Sequence, residues 1–368
     1  MENKTSKKFS GVGRNSNIEL LRILSMFVIV SHHFVVNSGL MEQIDQQIVL
    51  SLKDYMLLIL GWGGKTRINC FVFITGYFMC TSNITVNKFL KLLCEIYFYK
   101  IVIWGIFFIS GYEAFSVKEF LKVIFPFFTV ANNFTSCFIL FYLFIPFLNK
   151  LIHTLNEKEH IRLMILVLFV YTILPTFAKA NVVFNYVTWF MIIYIIASYV
   201  KLYPKKSFAN VKLWGCLSAG LLVVSWISVM GIAFITRVIG KSISWCYYFV
   251  NDSNKVLALA TAVCCFMFFK NLQIRYSKVI NTIAASTFGV LLIHANSDSM
   301  RKWLWQDLCR NVKVYSEASS MQMIGYALLC IVLIYGICTL IDMLRIKCIE
   351  KPCLHKICNF VNKKCMGI

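Results

Sequence analysis

Charged side chains are scarce in this chain: they make up 14% of its 368 residues, against 59% hydrophobic, and mean hydropathy is +0.72. Soluble domains carry about a quarter charged residues, so this composition excludes a soluble fold and implies a polytopic membrane protein. Acidic residues are the scarcer sign, 16 against 37 Lys and Arg. The resulting formal charge of +21 lies largely in loops between apolar runs, where membrane orientation places basic residues. No nucleic-acid partner is expected, and the partner the composition names is the lipid bilayer. No cleavable leader is expected either, because MENKTSKKFSGVGRNSN is too polar for a signal-peptide core and no small-residue cleavage site follows. The 15 cysteines form no disulfide framework; Cys70, Cys80, Cys94, Cys137, Cys264 and Cys265 fall in apolar runs, where a free thiol acts as a small hydrophobe. Cys348, Cys353, Cys358 and Cys365, with His355, follow steps of five, five and seven residues that match no familiar paired-cysteine site. No metal is expected. Repeats and low-complexity linkers are absent, which implies one membrane domain over 18–345 between a tail at 1–17 and a basic tail at 346–368.

What is present is a series of apolar runs near the ~20 residues that cross ~30 Å of hydrocarbon. Ten are expected, at about 18–37, 68–82, 92–111, 136–152, 161–178, 184–200, 213–235, 255–270, 279–295 and 322–344. The fold class is an all-α membrane bundle. The stretch around residue 50 is shorter, is broken by Lys53 and Asp54 and ends at Gly61, Gly63 and Gly64, so it is expected to be an interfacial or re-entrant piece followed by a flexible turn. SVKEFLKVIFPFFTV is expected to hold an amphipathic helix. With both termini cytoplasmic, Lys88/Lys91, Lys150/Lys158/Arg162, Lys201/Lys205/Lys206/Lys212 and Lys270/Arg275/Lys278 all fall inside, as the positive-inside rule favours.

The first run, NIELLRILSMFVIVSHHFVVN, carries four ionisable groups: Glu19, Arg22, His32 and His33. Such groups cost a few kcal/mol in a spanning helix and persist where they face a protein interior or a wet cavity. Arg22 and His33 are eleven residues apart, which returns to within ~20° of one face with a rise of ~16 Å. His32 points ~80° away and is expected to neighbour His33. Glu19 is placed to pair with Arg22 at i,i+3. The ninth run delivers His294 and Asn296 to the same side as His33. Imidazole is the side chain suited to take a proton near neutral pH, whereas Arg22 stays cationic and suits an anionic group such as a phosphate. The bland readings are a snorkelling Arg22, histidines in structural polar contacts and basic loops that only set orientation.

RNSNIELLRILSMFVIVSHHF, NCFVFITGYF after a Gly-rich turn, and INTIAASTFGVLLIHAN occur in that order, and together they resemble the integral-membrane acyltransferase 3 family, which O-acetylates surface glycans. The likeness runs from about Arg14 to the tenth run. Its most specific element, Arg, ten residues, then His, falls on Arg22 and His33. The resemblance implies roles for these two residues in acyl transfer, with acetyl-CoA as donor. It places the second-run pattern on Phe71, Phe73, Thr75, Gly76 and Tyr77, and the basic loop on Lys88 and Lys91. Relatives often have arginines in that loop, whereas lysine makes no bidentate phosphate contact.

The expected catalytic residues are therefore His33, Arg22 and His294. Arg22, Lys88 and Lys91 are expected to hold the donor, and Glu19, His32, Tyr77 and Asn296 to contact substrate, with Asn296 or Tyr77 as oxyanion donor. The expected reaction moves an acyl group from cytoplasmic acetyl-CoA to a hydroxyl of a cell-surface or lipid-linked glycan at a bacterial plasma membrane. The competing class is a transporter or flippase of lipid-linked sugars without acyl chemistry; the broken helices and internal symmetry that mark such proteins are not visible. Basic and aromatic residues in the outer loops, among them Arg237, Lys241, Arg301 and Trp303, suit sugars and anionic polymers and also suit membrane anchoring.

Overall fold

In hydrocarbon a chain must satisfy its backbone hydrogen bonds internally, and the elements of this protein are helical, with no strand among the described residues. The structure, a computed structural model, describes residues 15–125, 133–178, 180, 182 and 185–352. The first 14 residues, the last five residues of the amphipathic SVKEFLKVIFPFFTV stretch and the cysteine- and histidine-containing tail from 353 lie outside the described residues.

The helices are α1 (Ser16–Val36), α2 (Leu40–Asp45), α3 (Leu52–Gly61), α4 (Gly64–Met79), α5 (Val86–Ile109), α6 (Val117–Ile124), α7 (Phe134–Thr154), α8 (Glu157–Leu168), α9 (Tyr186–Leu202), α10 (Val211–Val238), α11 (Val256–Asn271), α12 (Lys278–Ala285), α13 (Thr287–His294), α14 (Asp298–Lys302), α15 (Asn311–Glu317) and α16 (Ser320–Arg345). Polar residues at the loop boundaries start many of them. Asn133, Asn185 and Asn210 cap the first turns of α7, α9 and α10, and Asn156 with Glu159 and Ser319 with Gln322 form capping boxes on α8 and α16. Each satisfies amide groups that a helix start leaves unpaired.

Seven helical stretches among the described residues are long and apolar enough to cross a membrane, and an eighth results if the pair Lys278–His294 and Asp298–Glu317, bent by 96°, counts as one span. The protein is a multi-pass membrane protein. The ten expected runs all fall on helices, but α9 and α11, of 17 and 16 residues, are short of a full span and the run at 279–295 is divided between α12 and α13. The described residues thus supply seven or eight spans where ten were expected. The reading of residues 52–61 as a separate interfacial piece needs correction. A break of only two residues separates α3 from α4, and Leu52–Met79 forms one apolar stretch of 28 residues. The segment thus lengthens the second span and adds no crossing. What hid this is the pair Lys53 and Asp54, whose charges are absorbed locally: Asp54 closes a capping box with Ser51 and accepts from the Tyr315 hydroxyl at 2.5 Å, and Lys53 donates to the Tyr315 carbonyl at 2.8 Å.

Helix α1 is the hub, in contact with α3, α4, α11, α12, α13 and α16. Its first turn is tied down by Ser277 N donating to Ser16 Oγ (2.9 Å) and Asn17 Nδ2 donating to the Phe269 carbonyl (2.8 Å). The glycines expected to form a flexible turn instead allow close approach. A Cβ on Gly64 would meet the His32 ring at 2.3 Å, and one on Gly63 would meet Val28 at the same distance. Gly64→Val should therefore lose about 1–3 kcal/mol by overpacking. Gly231→Ala, where nothing lies within 4 Å of the new Cβ, should be neutral or gain up to ~1 kcal/mol of helix propensity. Thermal unfolding in detergent compares the two, and equal effects would contradict the packing assigned to Gly64.

Candidate active site

Arg22, Met26, Ile29, His33 and Val36 recur every three or four residues on α1 and line one cavity of about 870 Å³. The stripe expected from helical spacing therefore faces the protein interior. Opposite it stand Lys65, Ile68, Phe71 and Thr75 of α4, Leu92, Lys100 and Trp104 of α5, and Phe288 and Leu291 of α13. Arg22 lies toward one end, with its Nε 4.0 Å from Glu19 Oε2. His33 lies toward the other.

At that end the hydrogen bonds fix a protonation pattern. The His294 Nδ1 is 2.6 Å from the Val290 carbonyl oxygen, which can only accept, so Nδ1 carries the proton. A neutral His294 then presents Nε2 as an acceptor. His33 Nδ1 sits 2.9 Å away and donates to it. The proton of a neutral His33 is thereby held on Nδ1, which leaves Nε2 as the lone pair. This is the arrangement by which a neighbouring group selects the reactive tautomer of a histidine. His294 is fully buried, packs edge-on to Trp305 at 6.5 Å between ring centroids, and stands behind His33 without lining the cavity. The two histidines are 261 residues apart in sequence.

His32 also lines the cavity, with Nδ1 donating to the Gly61 carbonyl at 2.5 Å, and the neighbouring Ser31 hydroxyl donates to Leu60 at 2.8 Å. Both bonds reach carbonyls in the last turn of α3, where the helical ladder is interrupted before α4. Asn296 lines the cavity while its Nδ2 donates to Leu292 at 2.9 Å.

Other expected site residues are not brought to this cavity. Lys88 Nζ donates to the Asn83 carbonyl at 3.1 Å, and Lys91 pairs with Glu350 at 2.5 Å. Tyr77 packs on Phe266 at 5.1 Å between centroids, beneath the Lys201 ammonium. Glu19 is buried beside Arg22 and does not line the cavity. Arg237, one of the outer basic residues, is committed to Asp45 at 2.7 Å and to nearby carbonyls. Replacing Lys88 by Gln should leave the KM for an acyl donor within about twofold, the scale of an exposed charge. A tenfold rise would return the residue to the donor site.

Three features escaped the reading of the sequence. Lys65 and Lys100 line the cavity, and Lys100 was legible as a lone charge inside an apolar run. Arg67 is buried on α4, 5.9 Å from the Trp62 ring centre. The third is a buried ionic network: Arg345 bonds Asp342 (2.8 Å), Glu350 (2.9 Å) and Glu95 (3.0 Å), and Tyr99 donates to Asp342 at 2.8 Å.

The sequence model of a family described as an acyltransferase domain matches residues 15–343. The chain belongs to the acyltransferase 3 family. Within the acyltransferase 3 match fall α1 with its Arg22–His33 stripe, the cavity and His294. No curated protein and no solved structure matches the chain. As a member of the acyltransferase 3 family, the protein is a membrane acyltransferase.

Proposed function

We propose that the protein is an O-acetyltransferase that passes an acetyl group from cytoplasmic acetyl-CoA to a hydroxyl of a cell-surface or lipid-linked glycan at a bacterial plasma membrane. The observation that carries this reading is the single cavity lined by Arg22 near one end and His33, oriented by His294, near the other. The axial distance between the two α1 positions, ~16 Å, is a span that the long, slender arm of the coenzyme covers. Arg22 meets anionic groups of the donor, and the thioester reaches His33. The coenzyme phosphates are assigned to Arg22 alone, because Lys88 and Lys91 stand apart from the cavity.

In the transfer, His33 Nε2 takes the proton of the acceptor hydroxyl as its oxygen attacks the thioester carbonyl carbon. The tetrahedral intermediate then collapses with cleavage of the carbon–sulfur bond, and the thiolate leaves with the proton from His33. His294 accepts from His33 Nδ1 throughout and disperses the charge that develops on the imidazolium. The same lone pair serves a two-step route through acyl-His33. Transporters of lipid-linked sugars have polar cavities too, but they do not require one histidine to fix the tautomer of another.

The test is incubation of protein-containing membranes with labelled acetyl-CoA and cell-envelope glycan. Label recovered in the glycan as a base-labile ester is the expected result. Glycan crossing the membrane without acquiring label would overturn the reading.

A further inference from the structure

Two ammonium groups line the cavity with no carboxylate in ion-pair contact among the described residues; Asp252 acts on Lys65, and Glu119 on Lys100, only from farther away. Lys65 directly follows Gly64, whose Cα abuts the His32 ring, so it belongs to the histidine end. Its Nζ donates to the Tyr186 hydroxyl at 2.6 Å, which leaves two N–H groups for other acceptors. Lys100 lies within the 24-residue apolar α5, one turn before Trp104, which also lines the cavity. Two turns beyond Lys100, Phe107 packs on Trp303 at 6.0 Å between centroids, next to Arg301 at the rim. Lys100 is therefore set ~10 Å along the helix axis from that contact.

Two of the three carboxylates that line the cavity pair with other cations: Glu119 with Lys122 at 2.6 Å and Asp298 with Arg301 at 3.2 Å. Glu113 is the third. Among the described residues none of these lies within ion-pair distance of Lys65 or Lys100. Keeping an ammonium inside a spanning region without a carboxylate in contact costs a few kcal/mol, and such residues mark ligand paths. Arg22, at the far end, already supplies the donor's cation.

We propose that Lys65 and Lys100 form a subsite for an anionic group on the acceptor, so that the preferred glycan carries a carboxylate or a phosphodiester close to the hydroxyl that is acylated. This rests on the acyl-transfer reading, and it supplies the substrate class which that reading leaves open. Both charges face the one cavity and attract an anionic acceptor into it, and Trp104 offers an apolar surface for a sugar ring.

The test is equilibrium binding to the full-length protein in detergent without an acyl donor. Three labelled probes of equal length are compared: an oligouronate, its carboxyl-reduced neutral counterpart and an oligo(glycerol phosphate). At least one anionic probe should bind about tenfold or more tightly than the neutral one, as charge-assisted hydrogen bonds require; which of the two binds more tightly names the anion. Lys100→Met and Lys65→Met should remove the preference, and Lys100→Arg should retain it, with gel filtration checking that each variant is folded. Equal affinity for all three probes, no binding of any, or a preference that survives both methionine variants would overturn the subsite. So would a raised KM for acetyl-CoA in Lys100→Met with glycan binding unchanged, since the cations would then hold the donor. Thioester cleavage by the wild type is measured separately, and its absence would sink the acyl-transfer reading without touching the binding result.

Discussion

Replacing His33 by Ala should lower acyl transfer by about three orders of magnitude, the middle of the range for removing a general acid–base group, while expression and membrane insertion stay unchanged. The residue is half-buried on the cavity wall and makes one side-chain hydrogen bond, to His294, so its loss removes chemistry and little packing. Replacing His294 by Phe should have a smaller effect, about tenfold to a hundredfold, the scale seen when a group that orients a functional histidine is removed. That loss should appear in kcat with donor KM unchanged, because His294 stands behind His33 and does not line the cavity. Partial recovery in His294→Gln, whose amide oxygen can accept from His33, would separate orientation from packing. Equal activity of His33→Ala and wild type in a label-transfer assay would remove His33 from the mechanism.

The second large effect is on stability. Arg345→Met should destabilise the protein by about 3–5 kcal/mol, the usual result of deleting one partner from a buried charge network. The guanidinium, 5% exposed, is the shared partner of Asp342, Glu95 and Glu350, which are 0%, 10% and 9% exposed. Without it, three buried carboxylates are left together with Lys91 as the cation in contact among the described residues. Lys91→Gln should cost less than about 1 kcal/mol, because that ammonium is half in solvent. Thermal unfolding in detergent orders the two variants, and an Arg345→Met protein as stable as wild type would contradict the role assigned to the network. The effect should extend to catalysis, since Asp342 packs against Gly289, where a Cβ would meet its carboxylate at 2.1 Å. The network thus braces α13, the helix that carries His294.

Much of this was legible in the sequence. Helical spacing alone put Arg22 and His33 on one stripe of α1, and the cost of polar groups in hydrocarbon required that stripe to face inward. The pairing of His33 with His294 was not legible, because it depends on how α1 and α13 pack, and no local pattern records that. The same holds for Lys65, which sits in the glycine cluster and reads as part of a turn until the approach of α4 to α1 is seen. Lys88 and Lys91 show the reverse: they stand apart from the cavity, and a basic loop after a span satisfies the orientation rule without a ligand. At 52–61, charge within an apolar run suggested a separate piece, whereas local capping and Tyr315 absorb that charge and α3 continues into α4 across a two-residue turn.

The central claim, that one cavity joins a donor near Arg22 to an acceptor near His33, is tested most directly in sealed proteoliposomes of uniform orientation. Labelled acetyl-CoA is supplied only on the Arg22 side and the glycan only on the His33 side. Label should appear in the glycan across the membrane, together with free coenzyme A thiol on the donor side, and both should vanish in His33→Ala. Transfer only when donor and acceptor share a side, or thiol release that survives the loss of His33, would contradict the account.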